Sequence, residues 1–187
     1  KDVEILPVIV PAMSWTRLAE LGARLGDALA AAAKEHGLVL GRDLAVVVSS
    51  DAVHYGADFR HVPFGEGGID AYAKAVARDV GMLKALGGPL EASRAKGFYE
   101  TCVDPASPAD YRVTWCGRYS VPLGLVTLAR LGKALGVPLE ARPLAYATSV
   151  GAPELPVRGD GLGETAPANL YHFVGYPSLA VVPAVVK

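Results

Sequence analysis

The stretch that most constrains this chain is Leu44-Ala45-Val46-Val47-Val48-Ser49-Ser50. Five apolar residues run together, three of them β-branched, and then the chain turns polar at once. The run is too short for a helix, and its apolar character on both faces fits a strand inside a parallel sheet. A second short apolar run, Ile5 to Val10, is bracketed by Pro7 and Pro11 and reads as a strand or the end of one. Helical patterns surround these runs. Trp15 to His36 is rich in Ala and Leu; Leu18, Leu21, Leu25 and Leu29 mark its buried face, Ser14 can cap it and Gly37 can end it. Further helices are predicted over Ile69 to Leu86, Leu90 to Cys102, and from near Ser120 to Leu135 with Pro122 in the first turn. Asp104 to Ala109 reads as a loop, and Leu139 to Val150 and Leu170 to Val186 each hold a strand. Between those two, residues 151–168 hold four glycines and three prolines and read as a mobile connection. Strands alternating with helices predict α/β architecture: a three-layer α/β/α sandwich on a mixed, largely parallel sheet.

Composition bounds the function. With 187 residues, 51% hydrophobic and 20% charged, the chain can bury a core and forms one domain over 1–187. The net charge of −1 comes without any block of like charge, which argues against a nucleic-acid surface. Two cysteines are too few for a disulfide framework, so a reducing, cytoplasmic setting is expected. Lys1-Asp2-Val3-Glu4-Ile5 is charged where a signal peptide needs an apolar run, and a chain opening on Lys1 suggests a start inside a longer protein. Thr165 to Val186 carries no charge and is long enough to span a bilayer. Its prolines 167, 177 and 183, with Asn169, His172 and Gly175, fit a buried strand with loops instead, and no membrane association is expected.

Chemistry concentrates in two places. Ser49-Ser50-Asp51-Ala52-Val53-His54-Tyr55-Gly56 follows directly on the buried strand, where ligands of open α/β sheets bind. Asp51 and His54 share one loop, so the carboxylate can orient the imidazole and raise its basicity; equally, Asp51 can cap a turn and His54 can be an ordinary loop residue. In Trp115-Cys116-Gly117-Arg118-Tyr119, a cysteine just before a helix and beside an arginine has a route to a lowered thiol pKa, although most free cysteines are structural. Cys102 reads as core, and His172 as structural. His61 can line the pocket of His54, with loop packing the commoner role, and Tyr55, Arg60 and Arg118 are the candidates for substrate contact. No P-loop, dinucleotide fingerprint, His-Glu-x-x-His or Gly-x-Ser-x-Gly is present, so no nucleotide cofactor is expected. A Cys116/His54 nucleophile–base pair remains open.

Taken in order, Ser49-Ser50-Asp51-x-x-His54-Tyr55, Cys116-Gly117-Arg118, Tyr146-Ala147-Thr148-Ser149 and Val174-Gly175-Tyr176 resemble the Memo family, the B protein of the AmmeMemoRadiSam system. That family is related in fold to the class III extradiol ring-cleavage dioxygenases. The resemblance implies a metal pocket in which Cys116 is a ligand and His54 an acid/base or supporting group, with iron or copper, or zinc, as the metal. In the dioxygenases a glutamate stands where Cys116 is; a thiolate there softens the site toward copper or zinc. The Pro-His-Ala-Gly and Gly-x-x-His histidines of the family's N-terminal part have no counterpart here. The resemblance therefore implies a C-terminal portion only, a fold incomplete relative to the full family, and either self-association or a partner chain that supplies the missing histidines. His61 is the candidate substitute ligand. The expected function is a Memo-like, redox-type metal-binding protein. The alternatives are an extradiol-type dioxygenase using non-haem iron and a non-catalytic binding subunit, so enzyme activity is left open.

Overall fold

The structure is a computed structural model that describes residues 3–152 and 168–184. Four helices and six strands follow one another: α1 (Trp15–His36), β1 (His54–Tyr55), α2 (Ile69–Ala85), β2 (Gly88–Pro89), α3 (Ala92–Cys102), β3 (Val103–Asp104), β4 (Ser107–Tyr111), α4 (Ser120–Leu135), β5 (Leu139–Thr148) and β6 (Phe173–Pro183).

Helix α1 has the predicted bounds and caps. Ser14 Oγ accepts from the Arg17 amide, and Gly37 closes the helix in the left-handed conformation at φ 65°. The buried stripe differs from the predicted leucine row. Leu18, Gly22, Gly26, Ala30 and Ala33 are buried, whereas Leu21, Leu25 and Leu29 are half-buried. The two glycines let α1 lie against the backbone of α4. A Cβ on Gly22 would come within 2.9 Å of Val126 Cγ1, and one on Gly26 within 2.6 Å of the Thr127 carbonyl oxygen. The small stripe therefore marks a close helix–helix crossing. Leu123, Leu125 and Val126 of α4, Ala95, Phe98 and Tyr99 of α3, and Leu18 of α1 share one core with Trp115 and Val113.

The sheet runs β1-β6-β5-β2, and β3 and β4 form a separate two-stranded ladder where a loop is predicted. Helices α2 and α4 both pack on the β5–β6 ladder, giving an α/β sandwich-like arrangement. The prediction of a largely parallel sheet does not hold: every strand pairing in it is antiparallel. That prediction rested on Leu44–Ser50 as a central strand. The segment is extended but joins no ladder, with only an isolated bridge from Leu40 to Leu44. The chain pairs with β6 from Ala52 to Tyr55, through Ala52 N–H to the Gly175 carbonyl and Gly175 N–H to that of Val53. Upstream of Ala52 the two segments part around an apolar cavity of about 240 Å³ lined by Val46, Val48, Leu179 and Val181. Of the apolar residues of 44–50, Leu44 and Val46 are half-buried and Val48 touches Gly124 of α4, whereas Val47 stays exposed, and the ladder is left to β5 and β6. Those two pair from Leu139 with Pro183 to Thr148 with Gly175, broken once at Pro143–Ala145, where proline suits a shift in register.

The uncharged stretch from Thr165 contains β6, as predicted from its prolines, and among the described residues no helix is long and apolar enough to cross a membrane. The connection predicted over 151–168 lies, apart from its ends, outside the described residues.

Candidate metal centre

Two segments bring the donors together: Ser50–Tyr55, beside β6, and Thr114–Arg118, leading into α4. Thr114 ties them. Its hydroxyl accepts from the His54 amide at 3.0 Å and donates to the His54 carbonyl at 2.9 Å. The imidazole is fixed by the same pair of segments. His54 Nδ1 lies 3.1 Å from the Thr114 carbonyl oxygen and 3.2 Å from that of Ala52. Both neighbours can only accept, so Nδ1 carries a proton and donates, and Nε2, in the neutral ring, presents its lone pair on the opposite side.

That lone pair faces the other two donors. Nε2 is 3.6 Å from Cys116 Sγ and 3.8 Å from Asp51 Oδ2. One ligand atom each from Asp51, His54 and Cys116 lies within 4.8 Å of the others, a cluster able to hold a metal ion. Sulfur, nitrogen and carboxylate oxygen together suit a transition metal. Asp51 therefore stands beside Nε2 as a third donor, where the sequence reading made it an orienting group for the ring. The Cys116 thiol is pushed up from its ordinary value by desolvation and then by the Asp51 charge, against opposing effects of the Asp51 amide and Arg118. The sequence reading expected the reverse. Cys116 sits four residues ahead of Ser120, outside the first turn of α4, and the nearby carboxylate outweighs the guanidinium.

Gly117 sets how closely the segments approach. Its N–H donates to Ser50 Oγ at 3.1 Å, and a Cβ there would lie 2.2 Å from the same oxygen. The other predicted site residues do not join the cluster. Tyr55 is fully buried, stacked on Phe173, with its hydroxyl on the Gly65 carbonyl. His61 is buried and turned to Arg78, whose Nη2 donates to its Nε2 at 3.2 Å. Burial and then the Arg78 charge push its pKa down to about 4. Arg60 is exposed in a turn at φ 52°. Arg118 is stacked between Tyr111 and Tyr119 and donates to the Trp115 carbonyl. His172 reaches the site's edge through Phe59, which stacks on it at 4.7 Å and meets the His54 ring edge-on at 5.1 Å. Cys102 is buried in the core, as read, with its thiol pushed up to about 12 by burial.

Sequence reasoning missed Thr114 and Asp79. Asp79 lies fully buried on α2 in line with Ala71, Ala75 and Leu83. An acid at every-fourth-residue spacing within an apolar stripe was the available signal.

A comparison with curated proteins gives no match. A family model described as Memo-like protein matches residues 1–155, which takes in Asp51, His54, Cys116 and Asp79. The reading that confines the resemblance to a C-terminal portion is overturned, because the match runs from residue 1 onward; Val174-Gly175-Tyr176 lies beyond it. With more than half of the chain matched, this protein belongs to the Memo-like family.

Proposed function

We propose that the protein is a redox-type metal-binding protein in which Cys116, His54 and Asp51 hold one transition-metal ion. The observation that carries this reading is the meeting of three unlike donors, with Cys116 Sγ and Asp51 Oδ2 both converging on His54 Nε2. A thiolate in the set favours copper or zinc over ferrous iron. When bound, the metal supplies Lewis-acid or electron-transfer chemistry. The chain's own part is to fix the imidazole by its Nδ1 proton, to present the thiolate, and to wall one side with Phe59. The extradiol dioxygenase reading has less support, since its iron arrangement needs two imidazoles and one carboxylate. Among the described residues only His54 faces the cluster, and His61 is turned to Arg78.

The test is titration of chelator-treated protein with copper(I), zinc(II) and iron(II). One equivalent of copper(I) or zinc(II) should bind, with loss in both Cys116→Ser and His54→Ala. Binding unchanged in those variants rejects the ligand set. Self-association belongs to this proposal, supported by the exposed apolar side chains of Ile5, Leu6, Ile9 and Val47 on extended segments outside the ladders. Native mass spectrometry tests it; a monomer at all concentrations rejects it.

A further inference from the structure

We infer that Asp79, buried in α2 and outside the donor cluster, is the positioning residue that holds the two ligand-bearing segments in register. This rests on the metal-binding reading above. Asp79 has no exposed surface, and three donors converge on its two oxygens. Val53 N–H donates to Oδ2 at 2.9 Å, Trp115 Nε1–H to Oδ1 at 2.9 Å, and the Tyr146 hydroxyl to Oδ2 at 2.8 Å. Val53 immediately precedes His54, and Trp115 immediately precedes Cys116. One carboxylate on a rigid helix therefore fixes the residue before each of two ligands, on segments some sixty residues apart in sequence. Thr114 makes the second tie between those segments, on the His54 backbone itself. Two ties prevent the segments from sliding or rotating, which is what a preformed donor set requires. The third bond, from Tyr146, comes from β5 and makes no hydrogen-bonded tie to either segment. It supplies an internal control, because it loads the same carboxylate without bearing on the ligands.

The experiment compares Asp79→Asn with Tyr146→Phe. Asparagine keeps the size of the side chain but turns a donor toward a donor, so a tie to Val53 or Trp115 is lost. Zinc affinity should fall about tenfold or more in Asp79→Asn. In Tyr146→Phe it should stay within about twofold, whatever that variant loses in stability. The His54 ring, read by ¹⁵N NMR on the metal-free protein, should show the Nδ1–H form in wild type and Tyr146→Phe, and a mixture of forms in Asp79→Asn. Parallel losses in the two variants would make Asp79 merely structural and overturn the inference. So would an Asp79→Asn protein with wild-type affinity and an unchanged ring. If wild type binds no zinc, the metal reading fails, and the ring measurement still decides the role of Asp79. If Asp79→Asn does not fold, Trp115→Phe removes one tie and keeps an aromatic body; its zinc affinity should fall, and an unchanged affinity overturns the inference.

Discussion

Gly117→Ala moves one ligand-bearing segment against the other. The new Cβ would sit 2.2 Å from Ser50 Oγ, 2.5 Å from Ser50 Cβ and 2.8 Å from Val121 Cγ2. Ordinary contact begins at 3.4 Å, so the segments must part by about 1 Å. Gly117 follows Cys116 and Ser50 precedes Asp51, so that parting falls within the donor cluster, whose atoms now lie within 4.8 Å. Overpacking of this kind costs about 1–3 kcal/mol of stability. Zinc affinity should drop about tenfold or more, equivalent to about 1.4 kcal/mol. The assay is a urea midpoint paired with a zinc titration. Ser50→Gly removes the two nearest atoms, and the next nearest, Val121 Cγ2, lies at 2.8 Å. The double variant should therefore regain at least half of the affinity lost, as a positive coupling in a double-mutant cycle. Wild-type affinity in Gly117→Ala, or purely additive losses in the double variant, would refute the reasoning.

Other outcomes follow from the same structure. His61 takes up a proton near pH 6.5 when unfolded but only near 4 when folded. Its contribution to stability is present above about pH 6.5 and is lost as pH falls toward 4, by about 3 kcal/mol in all. Denaturation midpoints across that range should show the slope in wild type and a flatter line in His61→Gln. Thr114→Val leaves the half-buried His54 amide without its acceptor, so it should cost about 1 kcal/mol by denaturation, whereas Thr114→Ser keeps the hydroxyl and most of the stability. Gly26→Ala forces a methyl against the Thr127 carbonyl at 2.6 Å, where backbone cannot yield cheaply. It should lower stability by about 1–3 kcal/mol and leave zinc affinity intact.

The helices were legible because caps and periodicity are local signals: Ser14 and Gly37 set the ends of α1 where the sequence places them. Leu44–Ser50 misled because a run apolar on both faces reports burial or association, not which strand it joins. Pairing direction is a long-range property, and here the ladder belongs to β5 and β6. Asp51, His54 and Cys116 could be picked out singly, since each breaks an apolar or glycine-marked pattern. The meeting of Cys116 with His54 was legible only as an open pair and through the family resemblance, and Asp51's place as a third donor was not, because both depend on Asp79 and Thr114, which join segments some sixty residues apart through hydrogen bonds that leave no motif. The direction of the Cys116 shift depends first on the burial of the thiol and then on its distance to Asp51, neither of which sequence spacing reveals.

X-ray absorption at the metal edge of zinc-loaded protein tests the central claim most directly, because it counts sulfur neighbours of the ion. The account predicts one sulfur at about 2.3 Å with nitrogen and oxygen donors at about 2.0–2.2 Å, and loss of the sulfur shell in Cys116→Ser. A shell of nitrogen and oxygen alone in the wild-type protein would contradict it.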